Sequence, residues 1–177
     1  MSLPEGIHIW QASLLQDEIS LHDLEKTLSP EEHRRAQSYI QQTDCQAFIV
    51  RRGILRSILA QYLNCAHQDI VFGTLRNGKP HLKSPQPDCH LFFNLSYSHQ
   101  RVIYAFTSTC EVGIDLEYIH PISDIEEISA RFFSTAEQRL LSHLPKAQKH
   151  ILFFQLWTRK EALLKACGTG IPILSEQ

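Results

Sequence analysis

Two stretches of this sequence open helices in the same way, 105 residues apart, and few folds allow that. In Ser29-Pro30-Glu31-Glu32 the serine can cap the helix, the proline suits its first turn, and Glu32 can reach back to complete a capping box. Ser134-Thr135-Ala136-Glu137 repeats the box at an offset of 105. At the same offset Phe48 maps to Phe153, and Ile58-Leu59 map to Leu163-Leu164, each inside a strongly helical stretch. Ile7-His8-Ile9-Trp10 maps to Val112-Gly113-Ile114-Asp115, both with strand-like alternation. Several matches in one register predict two related halves, residues 1–110 and 111–177.

The first half reads as a strand, a helix over about 30–41, a long helix over about 44–63, and then strands. Ile70-Val71-Phe72-Gly73 and the stretch around His81 flank Asn77-Gly78, a hairpin turn signal. Strands are expected near Leu91–Leu95 and Val102–Phe106. The second half reads as a strand (Val112–Glu117), a capped helix (Ser134–Leu144) and a long helix over about 149–167. Counterparts of the strands at 70–106 would fall near 175–211, beyond Gln177. The expected fold is therefore α/β (α+β), a pseudo-twofold pair whose second half lacks its C-terminal strands. Unpaired edges and bare apolar faces there would favour a homo-oligomer.

A formal net charge of −2 argues against non-specific binding to nucleic acid, which takes basic proteins. The longest apolar runs fall well short of a membrane span, and the first residues lack a signal-peptide pattern, so no membrane partner is expected. Five scattered cysteines without a Cys-x-x-Cys fit a reducing cytoplasm better than a disulfide framework or a zinc site.

Chemistry concentrates in the second half. Strand alternation over 112–117 puts Val112, Ile114 and Leu116 on a core face and projects Asp115 and Glu117 together from the other. Two carboxylates that close repel unless a cation or proton lies between them, although a solvent-facing strand side would look the same. Trp157, Lys160, Glu161 and Lys165 cluster on adjoining faces of one helix. Glu161 and Lys165 could be a plain i,i+4 pair; equally, Glu161 could complete an oxygen site for Mg²⁺ with the lysines offsetting phosphate charge. Such a site suits displacement at phosphorus.

Val112-Gly113-Ile114-Asp115-Leu116-Glu117, Phe132-Phe133-Ser134-x-x-Glu137 and Phe154-Gln155-Leu156-Trp157-Thr158-Arg159-Lys160-Glu161-Ala162-x-x-Lys165-x-x-Gly168-x-Gly170 together resemble the signature blocks of the 4′-phosphopantetheinyl transferases of the surfactin-synthetase-activating type. A looser likeness runs upstream through Gly78-Lys79-Pro80 and Phe93-Asn94-Leu95-Ser96 to the Arg51–Leu59 helix. The resemblance implies a pair of α/β halves and transfer of phosphopantetheine from coenzyme A to a serine of an acyl or peptidyl carrier protein. It further implies Mg²⁺ on Asp115, Glu117 and Glu161, with Glu161 as base for the carrier serine and Lys165 as stabiliser of the pyrophosphate and proton donor to the leaving group. Lys79, Ser96, Tyr97, Lys160, Lys165 and Arg52 are implied contacts to coenzyme A. Trp157 would pack under the site or serve as plain core. Glu137 is read as a capping residue.

The chain departs from the family pattern at Asn94-Leu95-Ser96-Tyr97-Ser98-His99, where the resemblance places a histidine at position 97 against the 3′-phosphate of coenzyme A. A neutral tyrosine there predicts weak discrimination between coenzyme A and its 3′-dephospho form. His99 would compensate if the strand continued and put it on the face of Tyr97. Two alternatives stand beside the transferase: a catalytically impaired homologue that binds coenzyme A or carrier protein, and a metal-dependent phosphohydrolase on the same acids. Arg34, Arg35, Arg51, Arg52 and Arg56 outnumber the acids between residues 30 and 60, which reads as a docking surface for an acidic carrier or as a solvated helix face.

Overall fold

The computed structural model describes residues 3–75, 78–83 and 90–169. An antiparallel sheet of order β1-β5-β4 is built from β1 (His8–Ser13), β4 (Phe92–Ser98) and β5 (Arg101–Thr107). β2 (Phe72–Thr74) and β3 (Pro80–Leu82) form a separate antiparallel hairpin. Its turn has Gly78 at φ +84°, a conformation glycine adopts without a side-chain clash. Asn77, the other half of that turn signal, lies outside the described residues, as does Gly170 of the third motif block.

The helices at either end of the 105-residue offset have matching lengths and caps. α2 (Pro30–Gln37) and α5 (Thr135–Ser142) are both eight residues long, and both begin with a complete capping box, Ser29 with Glu32 and Ser134 with Glu137. α3 (Gln42–Leu63) and α6 (Lys146–Cys167) are both 22 residues long. Each ends on a left-handed residue, Asn64 or Gly168. Two further helices, α1 (Glu18–Glu25) and α4 (Ile125–Phe132), were not expected from the sequence. Each is short, and α1 contains no fully buried residue, so it leaves little periodic trace. Both α2 and α5 end sooner than their sequence patterns imply.

The strand expected at Val112–Glu117 is absent: residues 111–122 have no regular secondary structure, and among the described residues no strand lies after β5. Among the described residues, no helix is long and apolar enough to cross a membrane.

The halves differ in what they bury. α3 is sandwiched: Val50, Leu55 and Leu59 meet Phe93, Val102, Tyr104 and Phe106 of the sheet, while Phe48 and Ile49 meet Leu28 and Ala36 on the other side. Alternation along β5 explains why Val102, Tyr104 and Phe106 share one face. The second core is helical, with Ile125, Phe133, Leu141, Phe153, Phe154 and Leu156 packed with Trp157.

One buried ionic knot fixes the first half. Arg56, on α3, is 2% exposed. Its Nε donates to Glu32 Oε2 at 2.6 Å, and its Nη1 donates to the carbonyls of His67 and Ile70 at 2.5 and 3.1 Å. Arg52 Nε donates to the other oxygen of Glu32. Glu32 also receives the Ser29 N–H of its own capping box at 2.8 Å. Burial alone would raise the Glu32 pKa, but these hydrogen bonds and the charges of Arg52 and Arg56 hold it below its ordinary value.

Candidate active site

Residues 112–118 run beside β4 and are tied to it through side chains at alternate positions. Asn94 Oδ1 accepts from Ile114 N at 2.9 Å. Ser96 Oγ donates to Asp115 Oδ1 at 2.9 Å. Ser98 Oγ donates to Glu117 Oε2 at 3.1 Å and accepts from Tyr118 N at 2.9 Å. Ile114 and Tyr118 thus give their N–H groups to side-chain oxygens, which is why the segment is extended without being a ladder strand. The expected facing of Asp115 and Glu117 survives, because two-residue periods in β4 and in the segment match.

On its other side the segment lies against α6. A β-carbon on Gly113 would stand 1.9 Å from the Ala162 carbonyl oxygen and 2.4 Å from Ala166 N, so only glycine allows this approach. The approach brings Asp115 to Lys165, whose Nζ donates to Asp115 Oδ1 at 2.5 Å and to Ser96 Oγ at 3.2 Å. The second oxygen, Asp115 Oδ2, is buried without a hydrogen-bond partner. Glu161, one helical turn before Lys165, is pushed above the ordinary carboxylate range by burial and by the charge of Asp115, with Lys165 opposing and Glu117 adding to the rise. Glu161 therefore feels both other carboxylates. An orphaned buried carboxylate oxygen and mutual repulsion among hard oxygen donors fit a divalent cation. Among the described residues, however, no three such groups are already gathered as a metal cage; the Lys165 ammonium partly fills that electrostatic role.

The other implied contacts divide. Lys79 Nζ donates to Glu111 Oε2 at 2.6 Å and to the Val112 carbonyl at 3.0 Å, anchoring the hairpin to the start of the acidic segment. Lys160 turns away from the acids: its Nζ sits 2.9 Å from Glu137 Oε2 and 5.5 Å from the Phe133 ring centroid. Glu137 does cap α5. Trp157 stacks on Phe153 and meets Phe132 edge-on, as a member of the second core. β4 stops at Ser98, and His99 takes the first position of a two-residue hairpin turn at φ 55°, stacked on Tyr118. His99 therefore does not share the face of Tyr97, correcting that expectation.

The arginines of the first half line a pocket of about 770 Å³ beside β4, with Leu95, Tyr97, Phe72 and Gly78 also in its wall. Arg34, Arg35, Arg51, Arg52 and Arg56 face Glu31 and Glu32 there. That size suits a nucleotide-sized ligand, and the charge balance suits an anion. The sequence showed the arginine excess but gave no sign of a cavity; the Arg52–Arg56 spacing of one helical turn, with a capping glutamate upstream, was the available clue. Consecutive β4 residues point to opposite faces, so Ser96 serves the acidic centre while Tyr97 serves the pocket.

Two family models match the chain. The model of the 4′-phosphopantetheinyl transferase N-terminal region matches residues 10–110, and that of the 4′-phosphopantetheinyl transferase superfamily matches residues 111–176. The chain is 42% identical over 174 residues to the 4′-phosphopantetheinyl transferase HetI of Nostoc sp., covering 98% of this chain and 73% of that protein. It is 36% identical over 149 residues to a putative 4′-phosphopantetheinyl transferase of Synechocystis sp., covering 81% and 58%. It is 34% identical over 146 residues to the 4′-phosphopantetheinyl transferase Sfp of Bacillus subtilis, covering 82% and 62%. The chain belongs to the 4′-phosphopantetheinyl transferase superfamily, in its Sfp-like type. It spans less than two thirds of the length of the second and third of these relatives.

Proposed function

We propose that this chain transfers 4′-phosphopantetheine from coenzyme A to a serine of an acyl or peptidyl carrier protein, with Mg²⁺, in the cytoplasm. The observation that carries the reading is the meeting of Asp115, Glu161 and Lys165 on one face of β4, with the arginine pocket on the other. Coenzyme A has a pyrophosphate and, at its nucleotide end, a separate phosphate. The two faces match those two charged ends.

In the reaction the serine oxygen bonds to the phosphorus that carries pantetheine, and the bond from that phosphorus to the bridging oxygen of the pyrophosphate breaks. The leaving group is 3′,5′-ADP. A cation held by Asp115, Glu117 and Glu161 would neutralise charge on the pyrophosphate when bound. Glu161, with its raised proton affinity, takes the serine proton, directly or through water. Lys165 presents an ammonium between Asp115 and Ser96, where it offsets phosphate charge and can protonate the departing oxygen. Lys79 contributes by holding the acidic segment at Val112. The two halves, 1–110 and 111–177, are read as one duplicated unit, supported by their matched capping boxes and equal long helices.

The test is to incubate the protein with an apo carrier protein, coenzyme A and Mg²⁺, and weigh the carrier. A gain of one phosphopantetheine, lost with Asp115→Asn or Glu161→Gln, is expected. An unchanged carrier mass with a panel of acyl and peptidyl carriers would overturn the reading.

A further inference from the structure

We infer that Ser98 is a positioning residue for Glu117: with the His99–Tyr118 stack, its hydroxyl sets that carboxylate for the cation of the site. The need for a divalent cation rests on the transferase reading. The hold of Ser98 on Glu117 rests on the hydrogen bonds at the end of β4.

A hydroxyl has one proton to give and can accept from other donors. The Tyr118 N–H can only donate, and it donates to Ser98 Oγ at 2.9 Å. The Ser98 proton therefore goes to Glu117 Oε2, 3.1 Å away. The same holds one strand period earlier. The Lys165 ammonium can only donate, and it meets Ser96 Oγ at 3.2 Å, so the Ser96 proton goes to Asp115 Oδ1 at 2.9 Å. Both serine–carboxylate pairs span 19 residues of chain. Each hydroxyl has its direction imposed by an obligate donor, and each is aimed at one oxygen of a carboxylate.

The two carboxylates are not equally well held. Asp115 receives both the Ser96 hydroxyl and the Lys165 ammonium, and its side chain is 4% exposed. Among the described residues, Glu117 forms no ion pair, and Ser98 is its one hydrogen-bond partner through the side chain. A glutamate also loses more side-chain freedom than an aspartate when it is fixed, so it depends more on whatever fixes it.

A second contact closes on the same place. β4 ends at Ser98, and the next residue, His99, stacks on Tyr118 with ring centroids 4.7 Å apart and planes 21° apart. Tyr118 is thereby held at its amide by Ser98 and at its ring by His99, and Glu117 lies immediately before it. Ser98 thus does for Glu117 what an outer partner does for a metal ligand: it holds one oxygen and leaves the other to the ion.

The experiment measures binding of Mn²⁺ alone to the full chain, by electron paramagnetic resonance of the free ion, and the Mg²⁺ dependence of carrier modification. Ser98→Ala is expected to weaken Mn²⁺ binding by about tenfold or more, as removing the partner of a metal ligand does. The Mg²⁺ concentration for half-maximal rate should rise by a similar factor. The rate at saturating Mg²⁺ should fall by less than about threefold, as loss of ground-state binding implies. S98T keeps the hydroxyl and should restore both quantities. H99N suits the left-handed turn but lacks the imidazole stack, and should shift them in the same direction by less. S142A, whose hydroxyl bonds to the Arg139 carbonyl on α5, should change neither. A wild type that binds no Mn²⁺, an unchanged Mn²⁺ affinity in S98A, or equal weakening in S98A and S98T overturns the inference. Ser98-dependent Mn²⁺ binding by a protein that modifies no carrier overturns the transferase reading instead, and leaves Ser98 in its role.

Discussion

Gly113 lies so close to Ala162 that a methyl group on it would stand 1.9 Å from the Ala162 carbonyl oxygen. The obstacle is helix backbone, not a side chain that can swing aside. Gly113→Ala should therefore push residues 112–118 off α6, separate Asp115 from Lys165, and cost about 2 kcal/mol or more, as overpacking against backbone does. Transfer activity should fall further than stability. A crystal structure or the Lys165–Asp115 distance from simulation-free NMR restraints, alongside carrier-mass kinetics, checks it; full activity in Gly113→Ala would contradict the packing role.

The raised proton affinity of Glu161 has a sign that can be read in stability. Its folded pKa is above its unfolded one, so the carboxylate costs stability above the folded pKa, and the cost fades as pH falls through that value. Without divalent cation, Glu161→Gln should melt higher than wild type at pH 7.5, and the difference should shrink toward pH 4. Adding Mg²⁺ should raise the melting temperature of the wild type and change the variant little. Thermal melts with and without chelator decide it.

Glu32 has the opposite sign. Its folded pKa is held below the unfolded value by Arg56, Ser29 and Arg52 against the cost of burial, so its contribution is present above about pH 4.3 and is lost as pH falls through the folded pKa. Glu32→Gln leaves two guanidiniums in the knot without their counter-charge and should cost about 3–5 kcal/mol at pH 7. Urea unfolding at pH 7 and pH 4 should show the variant losing less stability on acidification than the wild type.

Lys165 and Lys160 lie on the same helix but meet different partners, Asp115 and Glu137. Lys165→Met should reduce the rate of carrier modification by about 10²-fold or more, as loss of a charge-stabilising donor does. Lys160→Met should chiefly loosen the α5–α6 contact, with an effect below about tenfold, since its partner is the capping Glu137 and not the acids of the site. Equal kinetic losses in the two variants would place Lys160 in the site as well.

What could be read without coordinates was local. Both capping boxes lie within four consecutive residues, and the paired facing of Asp115 and Glu117 follows from alternation. Whether residues 112–117 form a ladder depends on what their N–H groups find across a gap of about twenty residues, and they find Asn94 and Ser98 side chains. His99 was misplaced because a two-residue turn ends β4 one position earlier than a continuing strand would. Lys160 carries no local mark that sends it to Glu137 rather than to the acids. The arginine pocket needs α2, α3, the hairpin and β4 together, so no single periodicity could announce it.

The alternation of β4 has a consequence for measurement. Ser96 belongs to the acidic centre and Tyr97 to the arginine pocket, and one peptide unit, about 3.8 Å from Cα to Cα, separates them. No hinge or loop lies between. A ligand touching both is gauged against a fixed length, as an object is by the jaws of a caliper that has been locked. Molecules of the right charge but the wrong span would be refused by geometry, and a single-residue insertion between 96 and 97 would turn Tyr97 onto the face of the acids and dismantle the gauge.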